Sequence, residues 1–204
     1  MTAGWVRRDF SPVGVTQHPP GRHLAKLQEP YCGKVLLCID VSGSMSGRLH
    51  HAVAGGQQFV AEAVAANYQV GLVLWDDGVH VHVPLSRDPK GVRKALDGAR
   101  VAGGTNVTPT LELGIRELSG LSGDRVIAVF GDGDIGPVRA AVAAAHRAAA
   151  AGIRIIVRGL GDHAAAQLNL IATDANEATV LRSDGDIASG IAAMASSIRR
   201  IGRP

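Results

Sequence analysis

The sequence predicts a doubly wound α/β domain, a mostly parallel sheet of about six strands with one antiparallel edge strand and helices on both faces. Three observations predict it. From Lys34 onward, short apolar runs alternate with stretches of helical period. Two of those runs, Lys34 to Asp40 and Arg125 to Gly131, are uninterrupted enough for strands covered on both faces and lead straight into acidic, glycine-rich loops. An Asp-Gly turn, Asp76-Asp77-Gly78, separates two β-rich segments and signals a hairpin, hence the antiparallel strand.

Taken in order, residues 1–32 read as an irregular N-terminal arm. Pro12, His18-Pro19-Pro20-Gly21 and Pro30 forbid a long helix, and Trp5, Val6 and Phe10 are the groups that can anchor it. Residues 33–204 read as the folded domain. Lys34 to Asp40 is the first central strand, and Arg48 to Ala66 a helix whose Gly55-Gly56 pair implies close backbone packing. Gln69 to Trp75 and Val79 to Leu85 form the hairpin, with Trp75 in the core. Pro89 to Ala99 and Pro109 to Leu118 are short helices. Arg125 to Gly131, Val138 to Ala151 and Ile153 to Gly159 give strand, helix and strand. Ala164 to Ala172 is helical, Thr179 to Arg182 a short edge strand, and Asp186 to Ile201 a closing helix capped by Ser183 or Asp184.

With 204 residues, the chain is long enough for one substantial core. Its net charge of +3 comes from scattered basic residues, which does not imply nucleic acid. The terminal group Arg199, Arg200 and Arg203 reads as a solvated helix end. Two cysteines make no disulfide framework: Cys38 belongs inside its apolar run, and Cys32 is expected at the surface. The first residues carry no apolar leader, and no stretch approaches the roughly 18 apolar residues of a membrane span, so the expectation is a cytoplasmic protein without membrane insertion.

The chemistry lies in three loops. Asp40-Val41-Ser42-Gly43-Ser44 follows the first strand; in an extended loop alternate residues point one way, so a carboxylate and two hydroxyls converge. Gly103-Gly104-Thr105-Asn106 offers a third hydroxyl before a helix, and Gly131-Asp132-Gly133-Asp134 offers carboxylates after the second central strand. In a doubly wound sheet ligands bind at the carboxyl ends of the strands, so the first and third loops should face one site. An all-oxygen set suits Mg²⁺ or Mn²⁺, fits Ca²⁺ less well, and disfavours Zn²⁺. Each motif alone has a plainer reading, a helix cap or a turn; their joint presence favours a site. Asp134 reads equally well as an outer helper or a plain turn carboxylate. Met45 is expected on the site rim, and His50 and His51 on a solvated helix face. His80 and His82, on the hairpin, are placed away from the metal loops.

Asp40, Ser42, Ser44, Thr105 and Asp132 match the metal-ion-dependent adhesion site of the von Willebrand factor A and integrin I-domain family, and the resemblance spans about residues 33–201. It implies that Ser42, Ser44 and Thr105 ligate a metal directly, while Asp40 and Asp132 act through water or hydrogen bonds. It also implies a non-enzymatic module that binds an Asp or Glu of a protein partner, with a closing helix able to shift on binding. The chain resembles stand-alone prokaryotic members of that family, which implies an adaptor or assembly subunit beside an AAA+ ATPase or in a stress or defence system.

Enzymatic alternatives are weaker. In Gly43-Ser44-Met45-Ser46-Gly47 methionine stands where a hydrolase nucleophile belongs, and Ser42 occupies the place of the second acid of an aspartyl phosphotransferase. Gly159-Leu160-Gly161 gives only part of a dinucleotide fingerprint, late in the chain.

Overall fold

The computed structural model describes residues 32–173 and 178–199. Residues 1–31 of the N-terminal arm and the Arg200 and Arg203 part of the terminal cluster lie outside the described residues. Strand β1 (Gly33–Asp40) leads through a 3₁₀ turn at Gly43–Met45 into α1 (Leu49–Ala65). Strands β2 (Tyr68–Trp75) and β3 (Val79–Ser86) follow, then α2 (Lys90–Asp97) and α3 (Thr108–Leu118). The remainder runs β4 (Arg125–Gly131), α4 (Val138–Ala150), β5 (Arg154–Leu160), α5 (Gly161–Asn169), β6 (Ala178–Leu181) and α6 (Asp186–Arg199).

The six strands are ordered β3-β2-β1-β4-β5-β6. β1 pairs in parallel with β2 and β4, and only β3 is antiparallel, through the predicted hairpin. β1 is buried at every position because helices cover both its faces. Its period of two divides it between two apolar layers. Val35, Leu37 and Ile39 meet α1, α2 and α6, whereas Leu36 and Cys38 meet α3 and α4. Trp75 is fully buried on the α3 side, as its apolar run requires.

Close packing fixes how α1 and α6 lie. A Cβ at Gly55 would stand 2.6 Å from the Ala188 carbonyl oxygen, so the glycine is what lets the two helix backbones meet. At the start of α6 the Asp186 Oδ2 accepts the Ser183 N–H and hydroxyl at 3.1 and 2.8 Å, so the first-turn acid ties down the approach to the helix, and the Ser183 hydroxyl is spent on it rather than on a helix N–H.

Two expectations fail. Cys32 is fully buried, its Sγ 3.0 Å from the Asn67 carbonyl, because the tight turn after α1 folds over the start of β1. Met45 is likewise buried among core side chains rather than on the site rim, because the 3₁₀ turn rotates it inward.

Candidate metal centre

Consecutive connections leave the sheet in opposite directions at β1 and β4: β1 proceeds by way of α1 to β2, and β4 by way of α4 to β5. The crevice at the carboxyl ends of β1 and β4 is therefore the topological switch point where such sheets bind ligands. Asp40 ends β1 and Asp132 follows β4, so both expected loops open onto it.

The structure brings four of the five expected residues into one chain of contacts. Asp40 Oδ1 accepts the Ser42 backbone N–H at 2.8 Å. The Ser42 and Ser44 hydroxyl oxygens lie 3.0 Å apart, and the Ser44 hydroxyl donates to Asp132 Oδ1 at 2.7 Å. Asp40 and Ser42 are buried, while Ser44 is open to solvent. The fifth residue, Thr105, sits on a loop tied by three backbone bonds to the loops on either side of it. Ala102 N–H donates to the Val41 carbonyl at 2.7 Å, Gly43 N–H to the Gly103 carbonyl at 3.1 Å, and Val107 N–H to the Ile135 carbonyl at 3.1 Å. On the third loop Gly136 has φ +78°, and a Cβ there would stand 2.9 Å from both the Thr105 carbonyl oxygen and Asn106 Cα. Only glycine allows the Asp132 loop to lie against the Thr105 loop in this way.

The donor set fits a hard divalent cation. Asp40 Oδ2 is buried with no hydrogen-bond partner, and burial pushes this carboxyl up to about 6, with hydrogen bonds from Ser42 and from the Asp132 backbone opposing and the Asp132 charge adding to the rise. A bare carboxylate oxygen in such a place is stabilised by a nearby cation. The 3.0 Å between the two serine hydroxyls also matches an octahedral edge, which is about 2.9 Å for magnesium–oxygen bonds of about 2.0–2.1 Å. Among the described residues no three His, Cys, Asp or Glu side chains cluster as a soft-metal site would need.

Around these residues the structure adds one neighbour, decides between two readings of another, and moves the hairpin. Arg48 bridges Asp132 Oδ2 at 3.1 Å and Asp184 Oδ1 at 2.9 Å, joining the third loop to the approach to α6. Nothing in the sequence signals that reach across the crevice. Asp134 is a turn carboxylate, its Oδ1 accepting the Gly136 N–H at 2.9 Å. The hairpin is not remote from the metal loops, because Asp76 contacts Gly103 and also His80, whose Nδ1 is 3.4 Å away. His82 faces Glu117 instead, at 3.2 Å.

Residues 35–134 carry a family signature, matching the von Willebrand factor type A domain. Among solved structures, the vWF domain of the type V pili tip protein Mfa5 from Porphyromonas gingivalis has TM-score 0.74 and 16% identity, over 85% of this chain and 97% of that one. The pilus adhesin SpaC from Lactobacillus rhamnosus GG has TM-score 0.71 and 16% identity, over 83% of this chain and 31% of that one. The proximal thread matrix protein 1 of the mussel byssus, solved with a zinc-occupied MIDAS motif, has TM-score 0.66 and 16% identity, over 83% of this chain and 48% of that one. At these identities the likeness is one of fold, and the chain spans about a third of the SpaC structure and half of the mussel protein. No curated protein matches the sequence.

Proposed function

We propose that this chain, which carries a von Willebrand factor type A domain, is a divalent-metal-dependent interaction module that captures an acidic side chain of a protein partner. The supporting observation is the incomplete polar cluster at the switch point: an unpartnered buried Asp40 oxygen beside two hydroxyls at octahedral spacing. Ser42, Ser44 and Thr105 are the direct ligands in this reading, with Asp132 orienting Ser44 through the hydrogen bond already present and Asp40 supplying negative charge from below. Bound there, Mg²⁺ or Mn²⁺ supplies an incompletely neutralised positive charge with coordination positions left for water or an incoming carboxylate. The natural ligand is an Asp or Glu of another protein, held by a charge-assisted contact.

The relatives of known structure are named as an adhesin, a pilus tip protein and a thread matrix protein, which agrees with recognition rather than catalysis. No described residue contributes a histidine base to Ser42 or Ser44, and the Ser44 hydroxyl is committed to Asp132. The cellular role we favour is a cytoplasmic bacterial adaptor or assembly subunit, its partner an AAA+ ATPase or a component of a stress or defence system. No helix among the described residues is long and apolar enough to cross a membrane. The zinc-bearing mussel relative makes metal identity a point to measure rather than assume.

The test is affinity capture of partners on the immobilised chain in Mg²⁺, eluted with EDTA and identified by mass spectrometry, with Asp40→Ala and Ser42→Ala alongside. An EDTA-eluted protein that both variants fail to retain supports the proposal. Equal retention by all three proteins, with or without EDTA, contradicts it.

A further inference from the structure

Asp76 closes the hairpin between β2 and β3, and it is buried although it lies at a turn. One of its carboxylate oxygens explains the turn: Oδ1 accepts the Gly78 N–H at 3.1 Å, the side-chain turn that Asp favours in such positions. The other oxygen does something the hairpin does not need. Oδ2 accepts the Gly103 N–H at 3.3 Å, across to the loop that carries Thr105. The Asp76 backbone carbonyl accepts the Asn106 N–H at 2.6 Å, on the far side of the same threonine. A single residue therefore grips the Thr105 loop two residues before and one residue after the hydroxyl, and His80 Nδ1 lies 3.4 Å from the same carboxylate oxygen. The backbone bond at 2.6 Å is the tighter of the two and the carboxylate bond at 3.3 Å the looser, and together they hold the loop on both sides of Thr105.

We infer that Asp76 is a positioning residue of the metal centre, setting the place of Thr105 without touching the ion. The inference rests on Thr105 being a ligand and adds the residue that presents it. Outer groups that orient metal ligands change affinity by about 10–100-fold when removed. Asp76→Asn keeps the shape and the turn but turns a donor toward the Gly103 N–H, so Mg²⁺ affinity should drop about tenfold.

The experiment is calorimetric titration of the full chain with MgCl₂, on wild type, Asp76→Asn, Thr105→Val and the double variant, with urea midpoints recorded in EDTA. Asp77→Asn controls for charge, since Asp77 is exposed on the same turn. Asp76→Ser is the second variant should Asp76→Asn not fold: its hydroxyl still caps the turn but is too short to reach Gly103. The inference predicts that either Asp76 variant weakens Mg²⁺ binding about tenfold, well beyond Asp77→Asn, and that the double variant binds no more weakly than Thr105→Val alone. Additive losses in the double variant, or wild-type affinity in the Asp76 variants while Thr105→Val binds weakly, overturn the inference and leave the metal site standing. Wild-type affinity in Thr105→Val overturns Thr105 as a ligand, and the inference with it.

Discussion

Asp124 and Asp40 sit at opposite ends of the same sheet, and the chain surrounds their carboxylates in opposite ways. Asp124, at the amino end of β4, meets Arg154 through both oxygens, at 3.1 and 2.8 Å, and its Oδ2 lies 2.6 Å from the Tyr68 hydroxyl. That hydroxyl is also 2.7 Å from the Ile198 carbonyl in the last turn of α6. Nearby, the buried Lys34 ammonium donates to the Cys32 and Ser122 carbonyls at 2.9 and 2.7 Å. Here both Asp124 oxygens and the Lys34 ammonium have partners. At the carboxyl end Asp40 keeps one oxygen unpartnered and two serine hydroxyls face each other above it. A folded domain tolerates few buried polar groups without partners. Asp40 Oδ2 is such a group, and it lies beside two hydroxyls able to ligate a cation, which marks the carboxyl end as the place to receive one.

Four substitutions break or sharpen this contrast. The largest effect is expected from Ser42→Ala, which removes a proposed ligand at the carboxyl end. Mg²⁺-dependent partner capture should be lost, while the urea midpoint in EDTA stays near wild type, because the site lies on loops above the core. Next is Asp124→Ala at the amino end. It removes the Asp124 bonds to Arg154 and Tyr68 and should cost about 2–3 kcal/mol in urea unfolding, since hydrogen bonds to charged groups are the strong ones. Calorimetry should show its Mg²⁺ affinity unchanged.

A smaller effect separates the two carboxylates by sign. Burial raises the Asp40 carboxyl from 3.8 to about 6, so the metal-free folded chain holds that proton more tightly than the unfolded chain does. The Asp40 contribution to stability is therefore present at low pH and lost as pH rises through that interval. Asp40→Asn should abolish this decline, leaving the variant more stable than wild type at pH 7 in EDTA yet unable to bind the ion. Chemical unfolding of both proteins across pH 4–7 checks it, and an Asp40→Asn protein less stable than wild type at neutral pH without metal would contradict the open-site reading. The smallest effect is expected from Arg48→Ala. Its side chain is 39% exposed, so loss of the ion pairs to Asp132 and Asp184 should cost under about 1 kcal/mol and vanish at high salt.

Much of the fold was legible because the signals were local. β1, β4 and β5 are continuous apolar runs, the Asp-Gly turn places the antiparallel strand, and the Gly55-Gly56 pair marks where α1 meets its neighbours. The Asp40, Ser42 and Ser44 grouping was legible from the motif, although the extended-loop reason holds only as far as Ser42: Gly43–Met45 is a 3₁₀ turn, and it is this turn that carries Ser44 to Ser42. What escaped depends on contacts between distant segments. Cys32 is buried by the Asn67 turn, Arg48 reaches Asp132 and Asp184 from the start of α1, and the hairpin tip meets Gly103 only because β2 lies beside β1 in the sheet. Apolar periodicity carries none of that, because polar side chains choose partners by position in space rather than along the chain.

The most direct test of the central claim is a crystal structure grown in millimolar MnCl₂ with data collected for manganese anomalous scattering. The account predicts one strong anomalous peak bounded by the hydroxyls of Ser42, Ser44 and Thr105, with Asp132 still bonded to Ser44 and an open coordination position toward solvent. A map without a peak there, with the three hydroxyls directed away from one another, would contradict it.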